Sequence, residues 1–306
     1  MGEEMVWLKA IPKGRDRWQS QVLTWVVGVL LVGLCLHTAV FAYPLTERFP
    51  AFVFGVLGIS MAFAMVASGL RAATPAGAVC GGMVCLLLVF WMGSFAGPLL
   101  RSGLTPLVLL FVLTFVATRM GRQRKAKAGL AEERRGRSAA QVVANLGVAG
   151  LASSWIGATV LLWCVRSAVH GHDAPLLLVG TVVLAALAEA TADTVSSEIG
   201  QAFGGQPVML TTLRRMEPGA DGAVSVLGTA AGVVAGAVVV FAGQWALRLG
   251  LKEAVVALIA AVAGLFFDSL LGATVERRGW VGNDLVNFAS TLFAVAVALG
   301  LVIAVG

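Results

Sequence analysis

Nine apolar runs, each near 20 residues long, divide the chain and constrain its fold more than any other feature. They cover about 21–42, 50–70, 73–92, 103–119, 141–166, 174–198, 223–248, 252–273 and 284–305. A helix that crosses the hydrocarbon core needs about 20 such residues. Only 12% of the 306 residues are charged, against roughly a quarter in a soluble domain. A water-soluble fold of that composition would expose apolar patches beyond what monomers tolerate. The expectation is an all-α, polytopic bundle of about nine transmembrane helices, in the inner membrane if the chain is bacterial. Residues 1–49 read as an amino-terminal segment plus a first helix that serves as an uncleaved signal anchor. Residues 50–306 read as one membrane-embedded unit, with Gly93, Gly97 and Pro98 marking where a re-entrant break would fall.

Basic residues set the expected orientation. With the amino terminus inside, 17 of the 22 Lys and Arg fall on the inner side of a nine-span arrangement. That bias predicts a cytoplasmic amino terminus and an external carboxyl terminus. It also places three polar segments, 119–140, 199–222 and 274–283, together on the cytoplasmic side. The net charge of +6 is then explained by orientation and anionic lipid, and nucleic acid is not an expected partner. Cys35, Cys80, Cys85 and Cys164 lie in apolar stretches without paired spacing and read as packing residues. His170 and His172 form a His-Gly-His-Asp loop that resembles a metal pair, although solvated histidines are the commoner reading.

Polar residues inside the runs carry the functional signal. Glu189 and Asp193 are four apart and share a helix face continued by Ser196, while Glu198 points roughly opposite. An ionised carboxylate in a span costs about 2.5–3.5 kcal/mol even on lenient scales. Two on one face call for a cation, a partner or water. One reading is a divalent metal holding phosphates, since Mg²⁺ typically takes one or two carboxylates plus substrate phosphate; the other is a structural ion pair. Asp268 lies between Gly264 and Gly272, on a face that a second backbone can approach. Arg134, Arg137, Gln141 and Asn145 form a polar stripe running from a basic loop into the membrane, suited to phosphate. Arg122 to Lys127 read instead as an ordinary basic loop.

Ser225, Gly228, Thr229, Gly232 and Gly236 make a small-residue face after a turn at Gly219 and Gly222. Tight packing accounts for the glycines, and Ser225 and Thr229 are the candidate ligand contacts. Asn283, Asn287 and Ser290 share another face, with Asn283 read as a cap and Asn287 as a site residue. Acids for metal, arginines for phosphate and an apolar surround for lipid together describe phosphoryl transfer. No P-loop motif, Cys/His metal cluster or Gly-x-Ser-x-Gly elbow is present.

The ordered blocks GRSAAQVVAN (136–145), ADTVSSEIG (192–200), TT (211–212), GADGAVSVLGT (219–229), FDSLLGAT (267–274) and NDLVNFAS (283–290) resemble an integral membrane family first catalogued as domain of unknown function ninety-two. Its characterised plant members are phytyl-phosphate kinases of vitamin E synthesis, and CTP-dependent polyprenol kinases and phosphatidate cytidylyltransferases look like looser relatives. The resemblance covers roughly 50–306 and marks that stretch as a kinase-like domain. It implies transfer of the CTP γ-phosphate to an isoprenyl monophosphate. By position, Asp193, Asp268, Asn283 and Asn287 fall on the motif acids and amides, and Arg137, Gln141 and Asn145 on the upstream block. The glycine-rich block departs from the usual Gly-Thr-Asn-Gly-Gly at Ala220, Asp221 and Ala223, and Asp284 stands where a second Asn is common.

The combined expectation is an Mg²⁺-dependent lipid phosphate kinase. Glu189, Asp193 and Asp268 hold the metal, and Asp193, Asp268 and Asn287 form the catalytic set. Arg137, Gln141, Asn145, Ser196, Arg214, Arg215, Ser225, Thr229 and Asn283 bind substrate or nucleotide. Two alternatives stand beside it. One is nucleotidyl transfer to a lipid phosphate; the other is an ion-coupled transporter, which intramembrane acids and glycine-rich helices also mark.

Overall fold

A computed structural model describes residues 11–95, 97–127, 136–165 and 174–305. In chain order the helices are α1 (Lys13–Ala42), α2 (Leu45–Arg48), α3 (Pro50–Gly69), α4 (Pro75–Trp91), α5 (Leu104–Arg119) and α6 (Arg122–Lys127). They continue with α7 (Ala139–Ser153), α8 (Trp155–Val165), α9 (Ala174–Phe203), α10 (Val226–Leu247), α11 (Leu251–Leu271) and α12 (Asn283–Val305). A two-residue antiparallel pair, β1 (Val208–Met209) with β2 (Ala223–Val224), closes the loop before α10. The protein is an all-α polytopic bundle, as its apolar runs require.

All nine runs appear as helix, with different reach. Among the described residues six helices are long and apolar enough to cross a membrane: α1, α3, α9, α10, α11 with its extension, and α12. The fifth run is the pair α7 and α8, bent by 76°, which makes seven if counted as one span. The third and fourth runs form the shorter helices Pro75–Trp91 and Leu104–Arg119. The sharp break therefore falls at Ser153–Ser154 in the fifth run. There Ser154 leaves helical geometry, and its hydroxyl accepts from the Gly157 amide at 3.0 Å, starting α8 in a new direction.

Local chemistry fixes several helix starts. Thr74 accepts from the Gly77 amide and is followed by Pro75, whose missing N–H is harmless in a first turn. Ser138 and Gln141 form a reciprocal capping box at the start of α7. Ser225 caps α10 by accepting from the Gly228 amide at 3.1 Å.

Helix α9 is the hub, packed against α5, α7, α8, α10, α11 and α12. Its residues 182–188 are fully buried, whereas α1 presents Trp25, Val29, Leu36 and Val40 outward, as lipid contact demands. Helices α9 and α10 approach closely. A Cβ at Gly232 would strike the Ala192 carbonyl, and one at Gly228 would lie 2.5 Å from the Ser196 carbonyl. The small-residue face is thus a packing device, and it lets backbone meet backbone.

Long-range contacts gather the polar segments at one end of the bundle. Thr74 donates to the Arg137 carbonyl, joining the starts of α4 and α7. Arg119 at the end of α5 donates to the Leu70 carbonyl beyond α3. Gly222, in the hairpin loop, lies directly against Ala273 beyond α11. Ser20 on α1 donates to Asp284 at the start of α12 at 2.6 Å. The described parts of the three segments expected on one side of the membrane do share one end of the fold.

Candidate active site

The hub helix places Asp193 on its α11-facing side near that polar end. Asp193 and Asp268 come within hydrogen-bond reach of one another. Both line a cavity of about 140 Å³ whose wall also includes Ser196, Asp221, Glu276 and Asn283. Four carboxyl groups, from α9, the hairpin loop, α11 and the π-helical turn Gly272–Glu276, therefore face one small space. A π-helical turn is rare and recurs at functional positions; here it carries Glu276 to the cavity edge. Gly219 and Gly222 adopt left-handed φ values of 86° and 71°, which lets the loop fold over the opening. Desolvation against the wall pushes the Asp221 carboxyl above the usual carboxylate range, while Arg277 pulls it back down.

Glu189 sits one turn deeper than Asp193 and does not line that cavity. It is 1% exposed, and its Oε2 accepts from the Thr291 hydroxyl at 2.6 Å. Gly264 makes room for it, since a Cβ there would lie 2.5 Å from the Glu189 Cγ. The Ser290 hydroxyl, donating to the Asn287 carbonyl at 3.0 Å, lies beside the carboxyls of both Glu189 and Asp268. Among the described residues, Glu189 Oε1 and Asp268 Oδ2 are the buried side-chain oxygens without a hydrogen-bond partner.

These features bear on a metal. No group of three or more His, Cys, Asp or Glu among the described residues is arranged to hold a cation by itself. Two facing carboxylates with an unpartnered oxygen do suit an ion that brings its remaining ligands with it. Mg²⁺ behaves in that way when it arrives with a polyphosphate.

A second, larger cavity lies across α9. It measures about 560 Å³ and is bounded by α3, α4, α5, α7 and α9, within the usual range for a small-molecule site. Its interior is apolar, with Phe63, Leu110, Phe111 and Leu146 among its walls. Its rim is basic: Arg71, Arg119, Arg122, Lys125 and Arg137 all reach it. Arg137 also donates to Thr194 at 3.3 Å and stands in electrostatic range of Asp193. One guanidinium thus touches the cation-rich cavity and the helix turn that bears the acid of the other.

The remaining sequence candidates divide cleanly. Asn145 lines the larger cavity and donates to the Gln141 carbonyl at 2.8 Å. Gln141 itself is occupied by the capping box, its Oε1 accepting from the Ser138 amide at 2.8 Å. Ser196 and Ser225 line the acidic cavity, although Ser225 already serves as the α10 cap. Thr229 and Asn287 line neither cavity. Arg214 and Arg215 are exposed on the hairpin loop, with Arg215 donating to Gln206 at 3.4 Å. The Arg134, His170 and His172 expectations fall outside the described residues.

Several participants escaped sequence reasoning. Lys125, read as part of an ordinary basic loop, is buried in an ion pair with Glu198 and also donates to the Thr118 carbonyl at 2.9 Å. Arg122, read with that same loop, also reaches the rim, and Glu276 and the rim arginines Arg71 and Arg119 were not singled out. For Arg119, Arg122 and Glu276 the one available signal was their position in the polar segments, and for Arg71 it was its place between two apolar runs. All four cysteines are free; Cys80 and Cys85 are buried as packing residues, Cys35 is half-buried and Cys164 is exposed.

Comparison with known proteins agrees with the architecture. The family described as Integral membrane protein DUF92 matches residues 58–295. An uncharacterized membrane protein of Synechocystis is 30% identical over 202 residues, covering 66% of this chain and 74% of that protein. An uncharacterized membrane protein of Methanocaldococcus jannaschii is 37% identical over 109 residues, covering 36% of this chain and 45% of its own. Protein VTE6, chloroplastic, of Arabidopsis thaliana is 28% identical over 198 residues, covering 64% of this chain and 55% of that protein. No solved structure gives a significant match. The chain belongs to the DUF92 family of integral membrane proteins.

Proposed function

We propose that this DUF92 member is a phosphotransferase that moves the γ-phosphoryl group of a nucleoside triphosphate, CTP by expectation, onto an isoprenyl monophosphate at the cytoplasmic membrane face. The observation that carries the reading is the pair of oppositely charged cavities on the two sides of α9, joined by Arg137 beside Asp193. An apolar chamber with a cationic rim suits a lipid that ends in phosphate, and an acidic pocket suits a metal–polyphosphate complex. The motif blocks that resemble phytyl-phosphate kinases contribute walls to both chambers.

Asp193 and Asp268 would hold Mg²⁺, which when bound neutralises charge on the polyphosphate and fixes its geometry. Arg137 grips the acceptor phosphate and bears part of the negative charge as transfer proceeds. An acceptor phosphate oxygen forms the new bond to the γ-phosphorus while the bond to the β-bridging oxygen breaks. The products are an isoprenyl diphosphate and a nucleoside diphosphate. The acceptor is already anionic, so no strong general base is required. Glu189 tunes the field behind the acids, held by Thr291 at 2.6 Å.

The test is a transfer assay on purified protein with Mg²⁺, four nucleoside triphosphates labelled at the α or γ position, and a panel of isoprenyl monophosphates. Label from the γ position alone should enter the lipid product. Incorporation of α label with release of pyrophosphate would establish nucleotidyl transfer instead. Solute uptake in proteoliposomes without nucleotide would establish a transporter.

A further inference from the structure

We infer that Phe63 and Phe111 form the floor of the lipid chamber and set the length of acceptor chain that it encloses, an inference that rests on the kinase reading for its substrate. Helix geometry locates the floor. Phe63 precedes the end of α3 by six residues, about 9 Å at 1.5 Å per residue, and Phe111 precedes the end of α5 by eight, about 12 Å. Gly81 follows the start of α4 by six residues, about 9 Å, and Leu146 the start of α7 by seven, about 10 Å. Four helices thus contribute one apolar layer at a common depth beneath the basic rim.

The chamber ends at that layer. One turn farther along their helices, Val84 and Leu107 are fully buried and do not line the chamber. The two rings meet edge to face with centroids 5.4 Å apart, linking α3 to α5. The Phe63 ring rests on Gly81, where an added Cβ would lie 3.3 Å from its Cε1. Glycine at 81 therefore leaves the ring its place, and a valine there would crowd the ring and fill space that Gly81 leaves to the chamber.

Substitutions on the two sides of that contact should act in opposite directions. Phe63→Ala or Phe111→Ala removes the floor and opens space toward Val84 and Leu107. Gly81→Val raises the floor. A chain end that is one group too long or too short for an apolar pocket typically changes selectivity by about tenfold or more.

Two measurements separate this inference from the reading beneath it. The first is kcat/KM for prenyl monophosphates of increasing length; the second is the thermal stabilisation of detergent-solubilised protein by n-alkyl monophosphates of increasing length, without nucleotide. The expected result is a preferred length that moves longer in the alanine variants and shorter in Gly81→Val, each by about tenfold in the long-to-short ratio. Phe63→Leu, which keeps an apolar side chain, serves if an alanine variant fails to fold, with a smaller shift in the same direction. A length preference unchanged in all variants, or displaced the same way in all of them, overturns the floor. If the stabilisation profile shifts while wild-type protein transfers no phosphate, the floor stands and the kinase reading falls. If wild-type protein transfers phosphate with an unshifted profile, the reverse holds.

Discussion

On the α11 side of α9 the polar end of the protein is acidic, with Asp193, Asp221, Asp268 and Glu276 around about 140 Å³. Across the same helix, Arg71, Arg119, Arg122, Lys125 and Arg137 ring about 560 Å³ of apolar space. The separation is the lesson. Like charges gathered in a membrane protein repel and are poorly hydrated, so each cluster alone is costly. Set on the two sides of one helix, opposite charges attract across it, and a phosphate bridging them would satisfy both. The contrast also predicts which changes affect donor, acceptor or fold.

The largest effect should come from the acids. Asp193→Asn or Asp268→Asn should lower kcat about a thousandfold, or about 4 kcal/mol, by removing the metal-holding charge while leaving shape unchanged. Retention of near-normal turnover by either variant would break the donor side of the comparison. Thermal stability in detergent should be kept or raised, because two facing carboxylates no longer repel.

Lys125 sharpens the other side by exception. It belongs to the basic rim, yet its charge is paired with the buried Glu198. Lys125→Met leaves that carboxylate alone and should cost about 3 kcal/mol of stability. Adding Glu198→Met should recover most of the loss, measured as the midpoint of thermal unfolding. If the single variant is stable but binds acceptor poorly, Lys125 is a ligand contact instead.

Arg137→Ala should reduce kcat/KM for the acceptor about a hundredfold, close to 2.7 kcal/mol, and leave nucleotide KM near wild type. Arg137→Lys should recover only part, since an ammonium lacks the planar two-pronged grip. The smallest effect belongs to Gln141→Ala, which removes half of a capping box. It should lower stability by about 1 kcal/mol with both KM values unchanged; a raised acceptor KM would return Gln141 to the site.

Sequence alone revealed the parts whose chemistry is expensive in lipid. Asp193 and Asp268 stand out because an intramembrane acid needs a reason, and the structure brings them together. The co-location of segments 119–140, 199–222 and 274–283 followed from counting arginines and lysines, and the fold shares it. The Lys125–Glu198 pair was hidden, because 73 residues separate partners whose meeting depends on how α6 folds back on α9. Gln141 shows the opposite case, since two readings competed for it. Its Ser-x-x-Gln spacing announces a cap, but the four-residue stripe with Arg137 and Asn145 suggested a ligand surface. The bend at Ser154 was equally obscure: Ser153 and Ser154 interrupt an otherwise continuous apolar run without proline.

Binding of Mn²⁺ with CTP, followed by electron paramagnetic resonance of the bound ion, tests the division of labour between the two chambers most directly. Wild-type protein and Arg137→Ala should bind the complex with similar affinity, and Asp193→Asn should bind it about a hundredfold more weakly, the loss of one charged ligand. Unchanged affinity in Asp193→Asn, or loss in Arg137→Ala alone, would contradict an acidic donor chamber set against a basic acceptor chamber.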